Sequence, residues 1–498
     1  MSTVRNRVRR GAYIDSVALM RVAQAVKALP GVEEAGLMIG TPANRDILAD
    51  AGLLADEGGA AGPGDLIIAV RAADGDAADA GLAHAESAID RGMRTTASDG
   101  ATTFQPRTLR TAQAMLPDAN LALISVPGDF AAAEAEKALA RGLNVMIFSD
   151  NVPLADEVAL KRTARDQGLL VMGPDCGTAI IAGVPLAFAN AVPRGDIGIV
   201  GASGTGIQEV SCLIARLGGG VSHAIGTGGR DLKAEVGGIT TLQAIELLEN
   251  DPSTRHIVLV SKPPAETVAR AILARVATAR KPFTICFLGA SSLAVPANAR
   301  FAATLEAAAY VALGHDAPDN AATPLTRPAN GGRGVCGLFS GGTLCAEAQI
   351  VACAFDMPVS SNAPVPGAAA LSSSDTHRLL DLGADEYTRG RPHPMLEPAV
   401  RDAPLREALA DASVGVILLD VVLGTGGHHD PAGHLARVLS ARPARGPHIV
   451  ASITGTAGDR QGLAAQGRAL EAAGVVVAPS NAAAARIAFA TAGAQKPD

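Results

Sequence analysis

The chain has 498 residues, 48% of them hydrophobic and 18% charged, and carries a net charge of −7 at neutral pH. That is too long for a single hydrophobic core and too apolar for disorder, so three or four compact domains are expected. With no tryptophan, three tyrosines and a negative charge balance, a stacking platform for bases and a general phosphate-backbone binder are excluded.

In chain order, a strand over Thr3 to Arg9, a helix over Ile14 to Ala28 and a strand over Val32 to Ile39 come first. A further helix, a strand over Asp65 to Val70 and an alanine-rich helix complete a small α/β module at 1–94. Leu29-Pro30-Gly31 punctuates its first helix and second strand. The basic opening, Arg5, Arg7, Arg9 and Arg10, is short and isolated, and reads as a solvated strand edge. Thr95 to Ala114 is rich in Thr and Gln with poor periodicity, and reads as a linker.

From Asn120 short apolar runs alternate with helices: Leu121 to Val126, Leu143 to Phe148, Leu169 to Met172, Ile197 to Val200, Ser222 to Ile225, Ile257 to Val260 and Phe283 to Leu288. Such runs belong to a parallel sheet covered on both faces. A second break, rich in Pro, Asp and Asn, spans Asp316 to Asn330. Gly334 to Phe339, Gly415 to Val422, Ile449 to Thr454 and Val475 to Val477 then supply another doubly wound set. The predicted domains are therefore 1–94, 115–194, 195–315 and 331–492.

The last two domains read as a pseudo-repeat. Ile197-Gly-Ile-Val-Gly-Ala-Ser-Gly-Thr-Gly-Ile-Gln-Glu209 parallels Val335-Cys-Gly-Leu-Phe-Ser-Gly-Gly-Thr-Leu-Cys-Ala-Glu347, and Leu242 to Ser261 has its counterpart in Leu405 to Asp420 in the same order.

Ser203-Gly204-Thr205-Gly206 opens a helix directly after a strand, where unpaired N–H groups and the positive helix end suit a phosphate or carboxylate. There is no P-loop lysine, and the glycine order is not that of a dinucleotide site. Ser340-Gly341-Gly342-Thr343 repeats the device, so two helix starts can serve one anion. Arg230, in Gly226-Thr-Gly-Gly-Arg-Asp231, and Arg391, in Gly390-Arg-Pro-His-Pro394, are candidate guanidinium partners for an oxyanion. His393 is a candidate general base or nucleophile, and His223 is a further candidate catalytic histidine, with a hydrogen-bonded strand-end histidine as the alternative. Cys176, in a tight Gly-Pro-Asp-Cys-Gly turn, is better explained by the turn than by a reactive thiol. His428 and His429 lack a carboxylate cluster for a metal. None of the six cysteines forms a C-x-x-C pair and no apolar signal core opens the chain, so a reduced, cytoplasmic protein with no metal site is expected.

Gly173-Pro-Asp-Cys176, Ser203-Gly-Thr205, Gly226-Thr-Gly-Gly229 and Glu246 together resemble the α subunit of succinyl-CoA synthetase, and the second half is similar to the carboxyl-terminal ligase domain of its β subunit. The fused order resembles the FdrA family, along with Tyr13-Ile-Asp-Ser-Val17, Met38-Ile-Gly-Thr-Pro-Ala-Asn44, Ser261-Lys-Pro-Pro-Ala-Glu266 and Gly390-Arg-Pro-His-Pro394. The resemblance implies a small module, a Rossmann-like CoA-binding-type domain and two flavodoxin-like ligase-type domains.

It also implies a subunit of an oxamate carbamoyltransferase acting in allantoin breakdown with partner subunits, in which phosphate takes the carbamoyl group of oxalurate to give oxamate and carbamoyl phosphate. The alternatives are an acyl-CoA synthetase-like enzyme that binds CoA and a non-catalytic scaffold. In the synthetases a phosphohistidine is oriented by the glutamate matched here by Glu246, yet no histidine stands between Leu288 and His315. CoA is thus the one cofactor the resemblance brings, and an oligomer or hetero-complex is expected.

Overall fold

In this computed structural model residues 2–12, 14, 16–95, 106–290, 293–319, 321–372, 375–388, 393–443 and 445–494 are described. The chain divides into two compact units, 1–138 and 139–498 without 389–392.

The first unit is built on strands β1 (Thr3–Arg9), β2 (Val32–Ile39) and β3 (Leu66–Ala72), in the antiparallel order β1-β3-β2. Helices Ser16–Lys27 and Gly75–Thr95 supply Leu19, Val26 and Leu82 to a core shared with Leu66, Ile68 and Val70. Alternate residues of a strand share a face. Arg5, Arg7 and Arg9 accordingly form a ladder of ion pairs to Asp79 (2.7 Å), Glu86 (2.5 Å) and Asp90 (2.8 Å) of the second helix. The basic opening thus lies on a partly solvated edge strand, with three of its four arginines paired within the module. Part of the expected linker is helical: Leu109–Met115 is capped by Thr108, whose hydroxyl and that of Thr111 each accept from the other residue's N–H. Residues 96–105 of that linker lie outside the described residues. Strand β4 (Leu121–Ile124) also belongs to this unit.

The second unit begins with a parallel pair, β5 (Asn144–Ile147) and β6 (Val171–Met172). An antiparallel hairpin follows, β7 (Thr178–Ile181) and β8 (Val184–Ala187), which periodicity did not announce. Then come β9 (Arg194–Gly201), β10 (Val221–Gly226), β11 (His256–Ser261), β12 (Phe283–Phe287) and β13 (Ala299–Phe301). The second half contributes β14 (Gly334–Phe339), β15 (Ser360–Ser361), β16 (Ala369–Ala370), β17 (His377–Asp381), β18 (Val414–Val422), β19 (His448–Thr454) and β20 (Val476–Ala478).

The two seven-stranded sheets run β13-β12-β11-β9-β10-β7-β8 and β16-β15-β17-β14-β18-β19-β20. Read from β13 and from β20, their first five strands follow the same parallel plan, with β9 and β14 as equivalent central strands; at the far edge β7 and β8 are antiparallel whereas β15 and β16 are parallel. All residues of β12, β14 and β18 are buried, which is why their sequences are almost continuously apolar, interrupted by Thr284 in β12 and Asp420 in β18. Helices Gly204–Arg216, Leu305–Ala312, Gly342–Ala354 and Asn481–Gly493 pack on one another. They join both halves in one core that includes Ile199, Val260, Leu305, Phe339, Leu418 and Phe489. No helix among the described residues is long and apolar enough to cross a membrane.

Candidate functional site

The central strands β9 and β14 deliver the two glycine turns to the same place. Ser203 is the N-cap of helix Gly204–Arg216, and its Oγ accepts from Gly206 N–H (3.0 Å). Gly341 is the N-cap of helix Gly342–Ala354 and has no side chain to cap with. The Ser203 and Thr343 hydroxyls are hydrogen-bonded to each other across the two halves. A Cβ at Gly206 would stand 3.2 Å from Thr343 Cγ2, and one at Gly341 would stand 3.0 Å from Thr205 Cβ. At Gly341 the opposite helix start alone leaves little room for a side chain, whereas at Gly206 Ser203 Oγ (2.8 Å) and Val260 Cγ1 (3.0 Å) of its own half stand closer still.

The two starts differ in what holds the residues that lead into the helix. In the first, Ile207 N–H is the earliest to find an intrahelical carbonyl, that of Ser203 (3.1 Å). With Gly206 N–H taken by the Ser203 side chain, Gly204 and Thr205 keep N–H groups that the helix itself cannot satisfy, at a half-buried position. In the second, the Asp420 carboxylate, within the buried β18, accepts from Ser340 N–H (2.8 and 3.0 Å) and Gly341 N–H (2.8 Å). Buried Arg401 completes the arrangement: its Nη2 donates to Asp420 Oδ1 (2.6 Å) and to the Ser340 hydroxyl, and its Nη1 to the Asp420 carbonyl (2.6 Å). Asp420 and Arg401 thus fix the two residues that lead into the second helix, whose own first N–H groups, at Gly342 and Thr343, are as little satisfied by the helix as those of Gly204 and Thr205.

His393 lies beside this second start. A Cβ placed on Gly383 would be 2.7 Å from His393 Nε2, 2.8 Å from the Ser340 carbonyl and 3.3 Å from Asp381 Oδ1. Its Nδ1 accepts from Met395 N–H (3.2 Å), and burial pushes its pKa down to about 4, against the pull of Asp420. The ring is therefore neutral at physiological pH, with Nε2 carrying its proton. Burial also raises the Asp381 carboxyl, opposed by the charge of the exposed Lys262.

Other residues singled out by sequence are engaged elsewhere. Arg230 is no free oxyanion ligand: its Nε pairs with buried Glu157 (2.9 Å) and its Nη2 donates to the Val152 carbonyl (2.7 Å). It joins a buried charge network in which Lys161 meets Glu157 (2.9 Å), Asp231 (2.8 Å) and the Thr227 carbonyl (3.0 Å). Glu246 is exposed on helix Ile239–Asn250. His223 is paired with Gly198 early in β10, whereas Gly226, at the strand's end, is paired with Gly201 before the helix start. His223 Nδ1 accepts from Ala182 N–H (3.1 Å), and burial lowers its pKa despite nearby Asp251. Arg391 lies outside the described residues. Cys176 is buried against the Gly226 carbonyl (Sγ to O 3.3 Å), and burial raises its pKa to about 12, so its thiol is a packing group. The His428 and His429 rings stack at 4.4 Å. Among the described residues no group of three or more His, Cys, Asp or Glu could hold a metal ion.

Asp420 and Arg401 were not singled out as site residues from sequence. A signal was present: Asp420 is the lone carboxylate inside the apolar run Val414 to Leu423, where a charge has to be paired.

Comparison with known proteins gives three family matches: "AllF, heavy metal-associated domain" over residues 1–106, "CoA binding domain" over 194–289 and "CoA-ligase" over 338–491. The uncharacterized protein YahF of Escherichia coli (strain K12) is 41% identical over 496 residues, 95% of this chain and 96% of that one. The ADP-forming succinate–CoA ligase subunit alpha 2 of Archaeoglobus fulgidus is 29% identical over 149 residues, 29% of this chain and 50% of that one. The ADP-forming sulfoacetate-CoA ligase subunit SauD of Bilophila wadsworthia is 28% identical over 181 residues, 34% of this chain and 59% of that one. The chain spans about half the length of these two ligase subunits.

The first match implies a heavy metal, and the donor set does not fit one: residues 1–106 contain no cysteine and one histidine, His84. The other two imply CoA, whose phosphates are anions, and here the residues fit. Besides the open Gly204 and Thr205 N–H groups, the buried Thr227 hydroxyl in the turn after β10 has no hydrogen-bond partner among the described residues.

Proposed function

The chain belongs to the family of YahF and fuses an AllF-type amino-terminal domain to CoA-binding and CoA-ligase domains, and on that premise we propose that it is an acyl-CoA synthetase-type enzyme working at the Ser203–Thr343 contact. The observation that carries the reading is that contact itself, with helix-start N–H groups that the helices cannot satisfy beside it. In acyl transfer between phosphate and a thiol, negative charge moves onto the phosphate as the carbonyl carbon changes partner. Gly204 and Thr205 N–H groups and the positive end of helix Gly204–Arg216 are placed to take that charge. The Ser203 and Thr343 hydroxyls supply donors from both halves once their mutual bond turns outward. CoA, when bound, supplies the thiol. A partner subunit supplies nucleotide chemistry, and the reduced state of all six cysteines suits the cytoplasm.

A second reading keeps the same phosphate position and makes phosphate the nucleophile toward a carbamoyl group, yielding carbamoyl phosphate. It is favoured by one feature, the absence of any histidine between Leu288 and His315 that could carry a phosphoryl group covalently. Calorimetric titration of the full chain with phosphate, CoA and carbamoyl phosphate separates the readings. Ser203→Asp keeps a good N-cap and adds a repelling charge, so it is expected to abolish phosphate binding. Binding of CoA supports the synthetase reading; binding of carbamoyl phosphate without CoA supports the second. Phosphate binding that survives Ser203→Asp removes the site from both.

A further inference from the structure

The segment Ser261-Lys262-Pro263-Pro264 leaves β11 at the edge where the two helix starts meet, and its lysine makes no hydrogen bond or ion pair with the described residues. β11 lies beside β9 in parallel register: Val260 is paired with Gly201, and its carbonyl accepts from Ala202 N–H (3.1 Å). Val260 Cγ1 stands 3.0 Å from where a Cβ on Gly206 would be, so the end of this strand touches the first helix start. Lys262 comes two residues later, is exposed, and precedes two prolines, which end the strand and disfavour a helical backbone at the lysine. A Cβ on Gly289 would stand 3.7 Å from Pro263 Cγ and 3.4 Å from Pro366 Cδ, so the segment lies where the halves meet. The lysine's charge is felt at the second helix start. Burial raises the Asp381 carboxyl and Lys262 opposes the rise; a Cβ on Gly342, the first residue of that helix, would collide with this same carboxylate. Burial raises the Cys345 thiol, in the first turn of the helix, to about 12, and Lys262 is again among the opposing charges. Two buried hydroxyls in the strands flanking β9 also lack partners among the described residues, Thr227 Oγ1 just after β10 and Ser261 Oγ at the end of β11. Buried polar groups are rarely left in that state unless something else completes them.

We propose that Lys262 is the ligand-binding cation of the paired helix starts, anchored in the first half and facing the second, and that the group it binds there is a phosphate. The inference rests on the phosphate seat of the proposed function and adds the residue that gives this seat a full positive charge. Each helix start offers roughly half a positive charge, whereas a phosphate group carries about 1.5 to 2 negative ones near neutral pH. A compact ammonium with three donors supplies the difference. Asp420 is already neutralised by Arg401 (2.6 Å), which leaves Asp381 as the carboxylate that competes for the lysine. Phosphate, with the larger charge, displaces it.

The test is calorimetric titration of the full chain with inorganic phosphate at fixed ionic strength. Lys262→Met is expected to weaken binding about tenfold or more with the melting temperature unchanged, because the side chain is exposed. Lys262→Arg keeps the charge and is expected to fall between the two. Asp381→Asn keeps an oxygen for Gly383 N–H (3.0 Å) and is expected to tighten binding, a gain that disappears when Lys262→Met is added. Unchanged phosphate affinity in Lys262→Met overturns the proposal, and so does a gain from Asp381→Asn that persists without the lysine. Loss of CoA affinity in Lys262→Met with phosphate affinity intact overturns it as well, since the lysine would then serve CoA. Ser203→Asp separates this inference from the reading it rests on. If Ser203→Asp abolishes phosphate binding and Lys262→Met does not, the seat stands and the lysine's role falls. If Lys262→Met abolishes it and Ser203→Asp does not, the lysine binds phosphate and the seat at Ser203 falls. An unaltered chain that binds no phosphate overturns both.

Discussion

Glu209 and Glu347 occupy equivalent positions on helices Gly204–Arg216 and Gly342–Ala354, and each binds the first turn of a helix from the opposite half. Glu209 accepts from Asn481 N–H (3.0 Å) and from the Thr454 hydroxyl; Glu347 accepts from Leu305 N–H (2.6 Å) and from Asn481 Nδ2 (2.7 Å). Two buried carboxylates are thereby spent on holding the halves in register.

Burial raises the Glu347 carboxyl from its ordinary 4.5 to about 8, with the charge of Glu209 adding to the effect. Between those values the folded chain keeps a proton that the unfolded chain has lost, so stability falls as pH rises across that window and levels off above about 8. Glu347→Gln cannot lose a proton, and its urea midpoint is expected to vary less between pH 5 and 8 than that of the unaltered chain. An identical pH slope in the two proteins refutes this assignment.

For His393 the sign is opposite. Its pKa falls from 6.5 to about 4 on folding, so the unfolded chain takes up a proton first and stability drops as pH falls through that interval. An NMR titration of the imidazole is expected to show a midpoint near 4; a midpoint near 6.5 would show the ring to be solvated and free.

Lys161 is the single buried cation between Glu157 and Asp231, apart from the half-exposed Arg230. Lys161→Met leaves two carboxylates without it and is expected to cost about 3–5 kcal/mol in a denaturation experiment. Arg230→Ala, at the edge of the network, should cost less. The reverse order would mean that Arg230 carries the turn.

Cys353 is the only cysteine that is not buried. In the native protein a thiol reagent is expected to modify Cys353 first and Cys176 only on unfolding, and Cys176→Ala should leave phosphate binding intact. Rapid native labelling of Cys176 would contradict its packing role.

The sheets and the repeat were legible because their signals are local: unbroken apolar runs such as Val414 to Leu419, and two strand–glycine–helix segments ending in Glu209 and Glu347. The meeting of the helix starts followed from the repeat. What was hidden depends on residues distant in sequence. Asp420 reaches Ser340 across 80 positions, and Arg230 is consumed by Glu157, which lies on helix Leu154–Asp166. A loop arginine looks the same in sequence whether it is free or paired. The short hairpin β7–β8 escaped because Gly183 and its positive φ, which reverse the chain, separate two strands of four residues each.

The connection between β13 with its following helix and β14 is an irregular stretch pinned by Leu325 N–H to Thr491 and by His448 to the Thr326 carbonyl. Its consequence is kinetic as well as structural. Two separate chains sharing such a core would come apart on dilution, whereas here the tether sets the local concentration of one half around the other. The Ser203–Thr343 junction therefore re-forms as a first-order event, and its integrity does not depend on how much of the protein a cell makes.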